Sequence, residues 1–89
     1  MIRRTVLFSG RVQGVGFRFT TCDVAQRYAV TGFVRNLPDG RVEVVVEGET
    51  GEVERFVSAV RAEMAGHIKS VSEREGTATG EYSRFDVRF

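Results

Sequence analysis

The segment Gly10–Arg18, with the sequence GRVQGVGFR, holds the residues whose types and spacing best suit chemistry. It contains three glycines and lies between an apolar, strand-like run and a helix-like run. A glycine-rich turn of this kind can direct several backbone N–H groups toward one point, and the following helix N-terminus adds partial positive charge there. Arg18 falls where that helix should begin, although a cation is disfavoured beside the positive end of a helix dipole. The pattern therefore predicts a bound oxyanion, and phosphate fits best because a guanidinium matches it with two parallel hydrogen bonds.

The elements that would position this loop follow the order strand, helix, strand, strand, helix, strand, strand. We predict strands over 5–10, 31–36, 41–47, 68–75 and 82–89, and helices over 17–28 and within 48–66. This order indicates an α+β fold, a ferredoxin-like βαββαβ sandwich with a strand added at the C-terminus. Its sheet is mainly antiparallel, and two helices cover one face. We expect residues 1–89 to form a single domain.

Hydrophobic periodicity indicates which side chains form the core. In the third strand, the three valines at 42, 44 and 46 should share one face, and Glu43, Val45 and Glu47 the other. Helical spacing marks a second apolar face at Val53, Phe56, Val57, Val60 and Met64. The seven phenylalanines are expected to lie in the core or to pack beneath loops. The turn Leu37–Gly40 should close a hairpin, with Asp39 and Gly40 serving the turn.

The predicted topology brings Asn36 near Arg18. A helix connects the first two strands, so these strands run parallel, and the hairpin places the third strand between them. The carboxyl ends of the first two strands therefore lie at the same end of the sheet. One leads into the glycine-rich loop and the other carries Asn36.

Taken singly, each of these features has an ordinary structural explanation. Strand–glycine–helix turns are often mere connections, a lone arginine is often a solvated surface residue, and an asparagine before a turn often only forms that turn. The loop is neither a Walker A motif, which needs a following Gly-Lys-Ser/Thr, nor a G-x-G-x-x-G fingerprint, because Phe19 replaces the third glycine. The combination of loop, arginine and asparagine is what points to a site.

This combination closely resembles the acylphosphatase family. The resemblance rests on GRVQGVGFR at 10–18, on GFVRNLPDGRVEVVVEG at 32–48 and on the closing TGEYSRFDVRF, and it extends over essentially the full length. Near the end, Arg84 and Phe89 stand where the family usually has a glycine and a tyrosine. Because neither residue lies in the anion loop, we expect these departures to matter little.

The resemblance implies a hydrolase that cleaves the carboxyl–phosphate bond of acyl phosphates without a metal or other cofactor. By position, Arg18 matches the phosphate-binding arginine and Asn36 the water-positioning asparagine, the two catalytic residues. The resemblance also implies that phosphate is held by the loop residues Val12, Gln13, Gly14, Val15, Gly16 and Phe17 together with Arg18.

Two other readings of the fold and site stay open at this point. One is a binding module without catalysis, because ferredoxin-like domains also bind RNA or regulatory small molecules. The third strand, however, lacks the aromatic pair that stacks RNA bases. The other is a domain with vestigial activity that assists a larger carbamoyl-phosphate enzyme.

Composition limits the partners. The chain has 13 basic and 12 acidic residues and a net charge of +1, whereas nucleic-acid binders normally carry a basic face. No apolar run approaches the length of a membrane span or a signal peptide, so we expect a cytoplasmic monomer with no nucleic-acid or membrane partner. Cys22 is the only cysteine and His67 the only histidine, and we expect a buried apolar role for the first and a structural or surface role for the second.

Overall fold

A five-stranded sheet covered on one face by two helices forms the protein, and the structure, a computed structural model, describes residues 1–89. The elements in chain order are β1 (Ile2–Gly10), α1 (Phe17–Ala25), β2 (Val30–Asn36), β3 (Val42–Gly48), α2 (Thr50–Glu63), β4 (Ile68–Thr77) and β5 (Phe85–Arg88). The predicted order of elements is confirmed, and strand and helix ends differ from the prediction by a few residues.

The sheet has the strand order β4-β1-β3-β2-β5. As predicted, β3 lies between β1 and β2 and is antiparallel to both. At one edge, β4 is antiparallel to β1, and at the other edge β5 is parallel to β2. This is the ferredoxin-like arrangement with a fifth strand added beside β2, so the predicted fold class is confirmed.

The core lies between the helices and one face of the sheet. Alternate β3 valines at 42, 44 and 46 are almost fully buried there, as the period-two pattern predicts. The helical pattern of α2 is confirmed too, since each of its five marked residues is buried in the same cluster. The ring of Phe56 on α2 packs against the rings of Tyr28 and Phe85, with centroid distances of 6.5 and 5.2 Å. This side chain therefore connects α2 to the segment after α1 and to the start of β5.

The other face of the sheet carries an unexpected buried carboxylate. Glu47 is only 3% exposed and accepts hydrogen bonds from Arg3 Nε at 2.8 Å and from the amides of Thr79 and Gly80 at 2.9 and 3.0 Å. We call Arg3, Glu47, Thr79, Gly80 and Glu81 the Glu47 cluster. It connects the segment before β5 to β3. The last strand begins at Phe85, later than the predicted residue 82.

Two expectations from the sequence are wrong. The first helix ends at Ala25 and not near Tyr28, because the amides at 26, 27 and 28 bond back three residues in tight turns that lead to β2. Phe19 and Phe89 are 62% and 90% exposed and so do not belong to the core. Neither helix is both long and apolar enough to cross a membrane.

Candidate active site

A cleft of about 170 Å³ opens where β1, α1 and β2 meet. It brings Arg18 and Asn36 together, as the topology predicts, although they come from different elements. The full lining is Val12, Gly14, Gly16, Phe17, Arg18, Phe19 and Asn36. Among the predicted loop residues, Gln13 and Val15 do not line the cleft.

The loop between β1 and α1 is held by its ends and bent by glycine. The side chains of Val12 and Phe17 are 1% and 2% exposed, and the Phe17 ring packs 5.0 Å from that of Phe8 on β1. Gly14 and Gly16 have φ values of 76° and 77°, which side-chain-bearing residues rarely adopt. Anchored ends and left-handed glycines therefore fix a curved backbone between β1 and α1.

The backbone N–H groups of this loop have no acceptor within the protein. From Val12 to Phe19, no amide donates to a backbone or side-chain oxygen; the nearest bonds on either side are Arg11 N to the His67 carbonyl and Thr20 N to the Gly16 carbonyl. No side chain caps α1, and its first turn has no acidic residue. Unpaired donors at a helix N-terminus are the elements of an anion-binding site.

Arg18 makes no hydrogen bond and no ion pair within the protein, whereas Arg35 and Arg41, at the same end of the sheet, each pair with a carboxylate. Its guanidinium carbon lies 4.8 Å from the centroid of the Phe89 ring. The ring contact leaves the N–H donors of Arg18 free. The half-buried arginine is therefore the unneutralised positive charge in the cleft.

Asn36 is the last residue of β2 and pairs with Val42 of β3. Its side chain is half-buried and makes no hydrogen bond within the protein, so its amide oxygen and amide NH₂ are both available to the cleft. The turn that follows is stabilised by other groups: Leu37 N bonds to the Arg41 carbonyl at 2.8 Å, and the Asp39 carboxylate accepts from the Arg41 amide at 3.1 Å. Asp39 thus serves the hairpin as predicted, and Asn36 is not needed for it.

Gln13 has a role that the sequence did not reveal. Its side-chain Nε2 donates to the carbonyls of Leu37 and Arg41, at 2.7 and 3.0 Å. The side chain is therefore directed away from the cleft and joins the loop to the β2–β3 hairpin immediately beyond Asn36. Only the backbone amide of Gln13 remains unpaired.

The cleft lining contains no His, Cys, Asp or Glu. The Cys22 thiol lies 3.6 Å from the Phe85 carbonyl, and burial together with nearby carboxylates raises its pKa, which disfavours a nucleophilic thiolate. His67 lies in the turn before β4, where its carbonyl accepts from the Arg11 amide. Across residues 1–89, no group of three or more His, Cys, Asp or Glu is arranged to hold a metal ion.

Comparison with known proteins decides the family. The family model described as Acylphosphatase matches residues 4–87, a span that includes both Arg18 and Asn36. The chain belongs to the acylphosphatase family. The acylphosphatase of Methanospirillum hungatei is 41% identical over 90 residues, which cover 99% of this chain and 98% of that relative. With several such relatives matched over nearly their full length, this member of the family is an enzyme.

Solved structures agree with the family and the fold. The crystal structure of the Bacillus subtilis acylphosphatase matches with a TM-score of 0.89 and 31% identity over the whole of both chains. Full-length HypF, in a phosphate- and nucleotide-bound form, contains a similar region with a TM-score of 0.79 and 28% identity. That match covers all of this chain but 12% of HypF, so the acylphosphatase fold also occurs within a longer chain.

Proposed function

We propose that the protein hydrolyses acyl phosphates to a carboxylate and inorganic phosphate, with the phosphoryl group held by the loop amides and Arg18 and the attacking water oriented by Asn36. The family supports hydrolysis of this substrate class. The observation that carries the residue roles is the convergence of unpaired amides, an unpaired guanidinium and an unpaired side-chain amide in one cleft.

The loop and Arg18 stabilise charge on the phosphoryl group. The backbone N–H groups of residues 12 to 18 surround the non-bridging oxygens, and the Arg18 guanidinium donates two parallel hydrogen bonds to them. Phosphoryl transfer requires little covalent chemistry from the protein, so positioning and charge stabilisation supply most of the rate enhancement. No acidic side chain lines the cleft to repel the dianion.

Asn36 holds the nucleophile. A side-chain amide both donates and accepts hydrogen bonds, so Asn36 can fix the direction of a water molecule that attacks phosphorus opposite the leaving carboxylate. As the bond from the water oxygen to phosphorus forms, the phosphorus–oxygen bond to the acyl group breaks. One water proton moves to a phosphoryl oxygen and the other stays on the attacking oxygen, so the products are a carboxylate and dihydrogen phosphate.

The reaction so written needs neither a protein base nor a metal, because a carboxylate is a good leaving group and the substrate's own oxygen accepts the proton. Alkyl phosphate monoesters lack such a leaving group. We therefore expect hydrolysis of acyl phosphates in the presence of a chelator, with little turnover of alkyl monoesters.

The test measures phosphate release from benzoyl phosphate and from glycerol phosphate, each with excess chelator. Inorganic phosphate is added as a competitor, and its binding is followed by the thermal midpoint and by amide shifts of the loop. We expect release from benzoyl phosphate only, competitive inhibition, and a midpoint that rises with phosphate concentration. Phosphate binding without any turnover would indicate a binding module, and activity restored only by a divalent ion would overturn the metal-free reaction.

A further inference from the structure

The register of the edge strand β5 places the last residue of the chain at the cleft. Because β5 runs parallel to β2, with Arg88 opposite Arg35, the next residue on each strand is Phe89 and Asn36 respectively. Parallel strands end at the same edge of a sheet. The end of β5 is therefore delivered to the end of the sheet that carries Asn36.

The first helix passes along β5 on the same side. The Cys22 thiol lies 3.6 Å from the carbonyl of Phe85, at the start of β5, and Arg18, one helical turn earlier, meets the ring of Phe89 at 4.8 Å. Along β5, Phe85 is buried and Val87 packs against the core, and Phe89 continues this alternation toward α1. The contact between Phe89 and Arg18 thus follows from the packing of two regular elements.

Stacking suits an arginine that must bind an anion. The N–H donors of a guanidinium lie in its plane, whereas an aromatic ring attracts the cation through its face. A carboxylate partner would occupy those donors and neutralise the charge, but a ring does neither. Phe89 is 90% exposed, so it gives Arg18 a partner without enclosing the cleft.

We propose that Phe89 is a positioning residue for the anion site: its ring holds the Arg18 guanidinium beside the loop while leaving every N–H donor free for phosphate. This inference rests on the proposed role of Arg18 in phosphate binding. It assigns a function to a position that lies beyond the matched family span of residues 4–87. Fixing the guanidinium before the anion arrives reduces the conformational entropy that binding must overcome.

The test compares two substitutions at one position. Phe89→Leu keeps an apolar side chain but removes the ring face, and Phe89→Tyr keeps the face. We expect the Kd for inorganic phosphate, measured by calorimetry, to rise about two- to fivefold in Phe89→Leu and to stay near the wild-type value in Phe89→Tyr. An equal Kd in the wild type and a folded Phe89→Leu variant would overturn the proposal, as would an equal loss in both variants.

Tyr82→Leu is the matched control. Tyr82 also has an arginine over its ring, with the Arg3 guanidinium carbon 5.4 Å from the centroid, but this pair lies on the other face of the sheet. Removing that ring should leave the phosphate Kd unchanged. A similar rise in Kd for Tyr82→Leu would show that the effect comes from general loosening of the C-terminal segment and would overturn the proposal.

A spectroscopic measurement covers the case in which Phe89→Leu folds poorly. In ¹⁵N-labelled wild-type protein, the Nε–H proton of Arg18, assigned by its loss in Arg18→Lys, should carry an upfield ring-current shift. A shift equal to that of a free arginine side chain would show that the ring does not hold the guanidinium. Phosphate binding away from the loop in the wild type would overturn the proposed role of Arg18. The ring-current shift tests separately whether the ring of Phe89 holds the guanidinium.

Discussion

Arg3 and Arg18 both lie against an aromatic ring, yet their polar contacts are opposite. Arg3 donates to Glu47 and to the Thr79 hydroxyl, each at 2.8 Å, and also to Glu81. Arg18 donates to no group in the protein. Arg3 uses its donors to connect distant segments of the chain, while the donors of Arg18 have no partner in the protein. Unmet hydrogen-bonding capacity alone does not set Arg18 apart, since Arg88 also lacks a polar partner and only lies over the Phe33 ring. What distinguishes Arg18 is that its unpaired donors lie in a cleft beside unpaired loop amides.

The largest expected effect comes from removing the unpaired arginine. Arg18→Ala should lower kcat/KM for benzoyl phosphate by about a hundred- to a thousandfold, since loss of one donor to a developing oxyanion costs roughly 2–4 kcal/mol. Arg18→Lys should recover only part of this, because a point charge lacks the two-pronged geometry. Steady-state kinetics on folded protein measures both. Near-normal activity in the lysine variant would contradict the bidentate role.

Removing Asn36 should separate catalysis from binding. Asn36→Ala is expected to lower kcat by about a hundredfold, the scale of a misplaced nucleophile, while the phosphate Kd stays nearly constant because the residue carries no charge. The measurement combines kcat, phosphate Kd and the unfolding midpoint on one preparation. If Asn36 only shapes the hairpin, activity should instead fall in step with the folded fraction.

The Glu47 cluster should affect the free energy of unfolding and its pH dependence. Burial alone would raise the pKa of Glu47, but hydrogen bonds from the Thr79 amide and Arg3 outweigh it and lower the pKa from 4.5 to about 2. A lowered pKa stabilises the fold above the unfolded value, and that stabilisation disappears as the pH falls from 4.5 toward 2. Near neutral pH, Glu47→Gln should lose about 2 kcal/mol of unfolding free energy.

Denaturant unfolding across this pH range checks the prediction for Glu47. The stability difference between wild type and Glu47→Gln should shrink as the solution becomes more acidic, and kcat/KM of the folded variant near neutral pH should match the wild type. A difference that stays constant with pH would mean that the carboxylate charge does not stabilise the fold.

The smallest expected effect comes from Gln13, which connects the loop to the β2–β3 hairpin. Gln13→Ala removes two hydrogen bonds from the loop to the hairpin, at about 0.5–1.5 kcal/mol each, and should lower the thermal midpoint and weaken phosphate binding severalfold. Gln13→Glu has nearly the same shape but directs an acceptor at the carbonyls of Leu37 and Arg41. It should be more damaging than the alanine variant, and the reverse order would show that the side chain merely fills space.

The features that the sequence predicts are those controlled by local periodicity and by topology. Alternation in β3, the apolar face of α2 and the turn at Leu37–Gly40 each depend on near neighbours and are confirmed. The proximity of Arg18 and Asn36 is also confirmed, because strand order alone brings the ends of β1 and β2 together. Their catalytic roles, like the monomeric state, stay predictions.

The features that the sequence did not reveal depend on contacts between distant segments. Alternation places Glu47 on the face away from the helices, but its burial results from the segment that carries Thr79 and Gly80, far along the chain. Gln13 was assigned to the phosphate loop, yet its side chain donates hydrogen bonds to two carbonyls of the β2–β3 hairpin. Phe89 looked unimportant because it lies outside the loop, and only the register of β5 against β2 shows that it reaches Arg18.

The short edge strand has a consequence for hydrogen exchange. β5 spans only Phe85–Arg88 and pairs with a single neighbour, β2, whereas the central β3 is bonded on both sides. Strands with one short ladder open locally at a lower free energy than the centre of a sheet. Phe89 directly follows that strand, so we expect an opening of β5 to move its ring away from Arg18. Amide protection along β5 should therefore increase when phosphate occupies the site, although no residue of that strand donates to the anion.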